Sequence, residues 1–135
     1  MGDEVLRRYA TRLETEGPAA VLEPDAIDDL GCFGWLRGAR ERALFLELRK
    51  ASGDSLAIAC GLIETVAFDP SEGITITAGV TVARICGRNL AVELRPGIQL
   101  HQGLLRQRIS WVQEAGESAA TLAPEGECVV EQVAW

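Results

Sequence analysis

The chain has one lysine, one histidine and no pair of closely spaced cysteines, and each scarcity removes a class of function. Acid–base or nucleophilic chemistry of the Ser-His-Asp or Cys-His kind would have to run through His101. No G-x-S-x-G elbow or other nucleophile signature accompanies it. Cys32, Cys60, Cys86 and Cys128 stand 28, 26 and 42 positions apart, whereas zinc ribbons and fingers need close ligand pairs. No metal and no cofactor is therefore expected. Two of the four lie in strand-like aliphatic segments, so buried free thiols in a reducing compartment are the expectation, with disulfides the alternative.

Long apolar runs are also missing. None approaches the roughly 18 residues of a membrane span, and Asp3 and Glu4 stand where a signal peptide would carry basic and then apolar residues. A cytoplasmic protein with no membrane partner is expected. The near absence of lysine beside twelve arginines reads as a codon-composition bias before it reads as function. Net charge is −7, unevenly spread: residues 1–35 hold eight acids and three arginines, residues 36–112 seven acids and ten bases, and residues 113–135 five acids and no base. A repulsive whole-protein field without a clustered cationic surface disfavours nucleic-acid binding.

What the sequence does contain is period-2 alternation with turn chemistry over residues 43–86. Leu44, Leu46 and Leu48 alternate with Phe45, Glu47 and Arg49, and Leu56, Ile58 and Cys60 alternate with Ala57 and Ala59. Placing these on one face pairs Leu48 with Ile58 and Leu46 with Cys60 around a Ser52-Gly53-Asp54 loop. Asp69-Pro70-Ser71-Glu72-Gly73 supplies an Asx acceptor, a proline and a glycine, and closing it sets Phe68 opposite Ile74 and Val66 opposite Ile76. A three-residue reversal at Ala78, Gly79 and Val80 would pair Ile76 with Val82. It puts Arg84 on the aliphatic face unless a bulge relieves it.

The fold class predicted is α+β: an antiparallel meander of about four to six strands, an open sheet or half-barrel, with N-terminal helices and a short C-terminal helix covering one face. A chain of 135 residues fits a single domain. Residues 1–36 read as the helical cover, with amphipathic spacing over 3–15, a stop at Gly17-Pro18, a second helix over 24–30 ended by Gly31, and an apolar knot Cys32-Phe33-Gly34-Trp35-Leu36. Residues 43–95 read as the sheet, with Leu90, Val92 and Leu94 as a further short strand. Residues 98–112 read as a helix through Leu100, Leu104 and Leu105 followed by a strand, residues 113–127 as a mobile connector, and residues 128–135 as a terminal strand.

Two functions of different classes fit. The first is a non-catalytic, soluble protein-interaction domain that self-associates as a homodimer through its terminal strand, with Val129, Val133 and Trp135 at the interface. That strand could instead add to the edge of the Leu44–Leu48 strand. The second is a binding domain, conceivably an enzyme, for a small anionic ligand at the Arg84 to Arg95 end of the sheet. Its pocket would be lined by Arg84, Arg88, Asn89, Arg95, Phe33, Trp35 and His101, because grouped guanidiniums take carboxylates or phosphates bidentately. The same arginines could pair with the chain's own acidic flanks.

Overall fold

The structure, a computed structural model, describes residues 27–38 and 40–135. The most strongly signalled turn folds as its chemistry dictates. The Asp69 carboxylate accepts the Ser71 N–H at 2.8 Å and the Ser71 hydroxyl at 2.6 Å, and Gly73 takes φ +103°. Strands β5 (Thr65–Asp69) and β6 (Gly73–Ala78) then pair Phe68 with Ile74 and Val66 with Ile76.

The next reversal is tighter than expected. Gly79 and Val80 alone form the loop into β7 (Thr81–Arg88), with Gly79 at φ +62° in the position that a type II′ hairpin reserves for glycine. Ile76 consequently faces Ala83 instead of Val82, Arg84 points outward, and Ile85 is buried without any bulge at Arg84. A register shift does occur, but at Cys86/Gly87 against β9 (Val129–Ala134).

Sheet continuity ends at residue 60. After β3 (Phe45–Arg49) and β4 (Ser55–Ala59), a 3₁₀ turn over Cys60–Leu62 diverts the chain, so the expected single meander is divided between two sheets. Within β3–β4 the register differs by two residues from the expected one: Leu48 faces Leu56 and Leu46 faces Ile58. A slip of two preserves the faces, so Leu46, Leu48 and Ile58 still share the core. Leu44 does not join them. The buried neighbour is Ala43, whose N–H donates to the Gln107 carbonyl at 2.7 Å, and Leu44 is left 82% exposed.

One sheet runs in the order β1 (Ile27–Asp29), β2 (Phe33–Leu36), β8 (Ile109–Gln113), β3, β4, and is antiparallel except for the parallel β8–β3 pair. The other is antiparallel in the order β5, β6, β7, β9. Two short helices complete the described residues, α1 (Leu100–Leu105) and α2 (Glu117–Leu122). The result is mostly β, and the α+β expectation holds only broadly.

The described part of the expected 1–36 cover contains no helix. Residues 27–29 are strand, and the aromatic knot is β2, whose Phe33 and Trp35 face the core. The expected helix over 3–15 and the first three residues of that over 24–30 lie outside the described residues. The predicted strand through Leu90, Val92 and Leu94 is a turn, and the predicted mobile connector contains α2. A single cluster joins both sheets, with Phe33, Leu46, Leu48, Ile109 and Val112 from one, Ile74, Ile76, Ile85, Val130 and Val133 from the other, and Leu100 and Leu104 from α1. Among the described residues no helix is long and apolar enough to cross a membrane.

Candidate functional site

A sheet edge is where a β protein can accept another strand, and the four edges here differ in protection. At β1 the edge carries Asp28 and Asp29, and the Asp28 carboxylate binds Arg37 at 2.6 Å. Strand β5 is flanked by Glu64 and by Asp69-Pro70, and α1 packs beside it, with the His101 ring stacked on Phe68 at 5.0 Å. Along β9 the chain covers itself: Ala115 N–H donates to the Val130 carbonyl at 2.8 Å, and Val133 N–H donates to Glu114 Oε2 at 2.7 Å. Strand β4, Ser-Leu-Ala-Ile-Ala, has β3 on one side and no strand on the other among the described residues. It contains neither a charge nor a proline.

Apolar surface adjoins this bare edge. Phe45 pairs with Ala59 on the outward face and is 57% exposed, with Leu44 at 82% and Leu62 at 67% beside it. The same face becomes polar toward the sheet centre. Glu47 accepts from Arg49 at 2.7 Å, and the Arg49 guanidinium lies 4.7 Å from the Trp111 ring centre. Gly34 is required beneath that indole, since a Cβ at Gly34 would occupy the space of the Trp111 ring.

The residues expected to form an anion pocket are spread over the molecule. Arg84 is on the outer face of β7, 3.5 Å from Glu72. Arg88 donates to the Ala120 carbonyl at 2.5 Å and lies 3.5 Å from Glu131, and Asn89, at φ +56°, donates to the Glu127 carbonyl at 2.9 Å. Arg88 and Asn89 are thus brought together, against the acidic C-terminal segment. Arg95 closes a small turn with Ile98. Phe33 is fully buried, and Trp35 is buried with the Arg108 guanidinium 5.6 Å from its ring centre. Of the expected interface residues, Val129 and Val133 are buried in their own fold. Trp135 stays 43% exposed, with the Lys50 ammonium 4.3 Å from its ring centre.

The sequence spacing hid one further cluster. Cys32 and Cys128 line a common cleft of about 480 Å³ between the β1–β2 turn and α2. Beside Cys128 in this cleft the Cys32 thiol is held below the ordinary thiol range, and Cys128 is pushed above it by Cys32 and by burial. Cys60 is raised by burial alone. Among the described residues no group of three His, Cys, Asp or Glu side chains could hold a metal ion. In comparisons with known proteins, no family model, no curated protein and no solved structure matches this chain.

Proposed function

We propose that this chain is a protein-interaction domain that self-associates by strand addition at β4. The observation that carries the reading is the β4 edge, which no strand covers among the described residues and which is bordered by exposed Leu44, Phe45 and Leu62. Antiparallel pairing of β4 with the β4 of a second copy satisfies its outward N–H and C=O groups and is self-complementary about a twofold axis. Because the pairing is antiparallel, one apolar patch lies at each end of the seam. The terminal strand first suggested by the sequence is less suited to this role, because Glu114 and Ala115 already occupy its backbone groups and its valines face inward.

The anionic-ligand alternative has weaker support. Arg84 and Arg88 already face Glu72 and Glu131, and Phe33 is enclosed by the core. The discriminating experiment is sedimentation velocity on the wild type and on Ala57→Lys, which sets a charge on the outward face of the edge strand. A concentration-dependent dimer lost in the variant, with unchanged thermal stability, supports association at β4. A wild type that is monomeric at high micromolar concentration removes it.

A further inference from the structure

We propose that Cys32 and Cys128 form a thiol–disulfide exchange site that accepts a small-molecule disulfide in the cleft between the β1–β2 turn and α2. This goes beyond strand association and does not depend on it.

The two thiols are presented by frameworks fixed separately. Cys32 follows Gly31, which sits at φ +87° with its N–H on the Asp29 carboxylate at 2.9 Å, and the Cys32 carbonyl accepts the Gln113 N–H at 2.9 Å. Cys128 immediately precedes β9, and its neighbour Glu127 is tied to Asn89 at 2.9 Å. The first position belongs to one sheet and the second to the other, so the two line one cleft because the sheets pack together.

Their environments divide the labour. Cys32 is partly exposed and Cys128 is only 6% exposed. The accessible Cys32 is therefore the position an incoming disulfide reaches, and its thiol is held below the ordinary range, whereas burial disfavours ionisation of the enclosed Cys128. Leu30, Ala119, Leu122 and Val130 give the cleft apolar walls, while Gln113 and Glu127 supply polar groups at its margin. Its volume is that of a small-molecule site. Neither Cys60, buried with a raised pKa, nor Cys86, whose thiol points to the Glu72 carbonyl at 3.4 Å, lines it.

The exchange balances without any group beyond the incoming disulfide RSSR. The Cys32 thiolate attacks one sulfur of RSSR, the RS–SR bond breaks as the Cys32 S–SR bond forms, and the departing RS⁻ takes up the proton that Cys32 had released. Cys128 then loses its proton and attacks the Cys32 sulfur, expelling the second RS⁻, which is protonated in turn. The protein dithiol is oxidised by two electrons to a Cys32–Cys128 disulfide, and RSSR is reduced to two RSH.

Full-length protein incubated with glutathione disulfide and mapped by mass spectrometry tests this. The expected product is a Cys32–Cys128 cross-linked peptide. In Cys128→Ser, glutathione is expected to remain on Cys32, added about tenfold faster than on Cys86, as suits a thiolate of greater reactivity. Should Cys128→Ser not fold, the wild-type time course carries the same information, with glutathionylated Cys32 rising before the cross-link. Equal labelling of Cys32 and Cys86, or a wild type in which the cross-link never forms, overturns the proposal.

Discussion

Glu114 and Val133 join the two sheets: the Val133 N–H donates to Glu114 Oε2 at 2.7 Å. The other carboxylate oxygen, Oε1, accepts the Ala51 N–H at 3.0 Å from the turn after β3. One side chain, placed just past the end of β8, therefore holds backbone from both sheets. Removing it leaves two amides to find other acceptors. Glu114→Ala should cost about 1–3 kcal/mol of unfolding free energy, and Glu114→Gln, which keeps a single acceptor oxygen, should cost less. Denaturant titration of both variants measures the difference.

Gly73 is fixed by two independent constraints. Its φ is +103°, and a Cβ would run into the Ile85 carbonyl oxygen on the neighbouring strand. Gly73→Ala must both hold a left-handed backbone and displace the β6–β7 ladder, so a loss of at least about 1–3 kcal/mol is expected. Gly53→Ala is the comparison: φ there is +104°, but the space around it is open. Its smaller loss in thermal unfolding separates conformational strain from collision.

Asp69 gives the pH dependence a sign. Hydrogen bonds from Ser71 and Glu72 hold its carboxyl below the ordinary carboxylate range. A carboxyl lowered on folding contributes stability that is present above its unfolded pKa and is lost as pH falls through the folded value. Asp69→Asn should therefore remove part of the acid-side decline in stability, in the region below the unfolded carboxylate pKa of about 3.9. Parallel unfolding curves at neutral and acidic pH would show the wild type and variant converging as the acid is protonated.

Thiol reactivity should follow the cleft. With iodoacetamide near neutral pH, Cys32 should be alkylated first, and Cys60 and Cys128, both buried and both raised, should react slowest until the protein unfolds. Oxidation should then protect the fold. A Cys32–Cys128 link closes a loop of about 100 residues, for which chain entropy predicts a stabilisation of about 4–5 kcal/mol. The oxidised protein should melt on the order of 10 °C higher than the reduced one.

Local chemistry was legible in the sequence, and long-range pairing was not. The Asp69–Gly73 turn carried its own register because an acceptor, a proline and a glycine fix the loop length. The β3–β4 pairing was misplaced by two residues because the leucine pattern distinguishes faces, which such a slip leaves unchanged. At Gly79-Val80 the aliphatic pattern favoured a longer loop, and glycine's positive φ decided for the shorter one. Nothing local announced that β3 would take β8 as a parallel neighbour or β9 would join β7, since such contacts close only with the whole chain. The same holds for the site: residue types identified the arginines, but only the meeting of the sheets brought Cys32 to Cys128.

The most direct measurement of the functional account is the sedimentation coefficient as a function of concentration, for the wild type beside Ala57→Lys. Association through β4 predicts a wild type that shifts from monomer to dimer as concentration rises into the high micromolar range, and a variant that stays monomeric with the same melting temperature. A wild type that never shifts, or a variant that dimerises equally well, contradicts it.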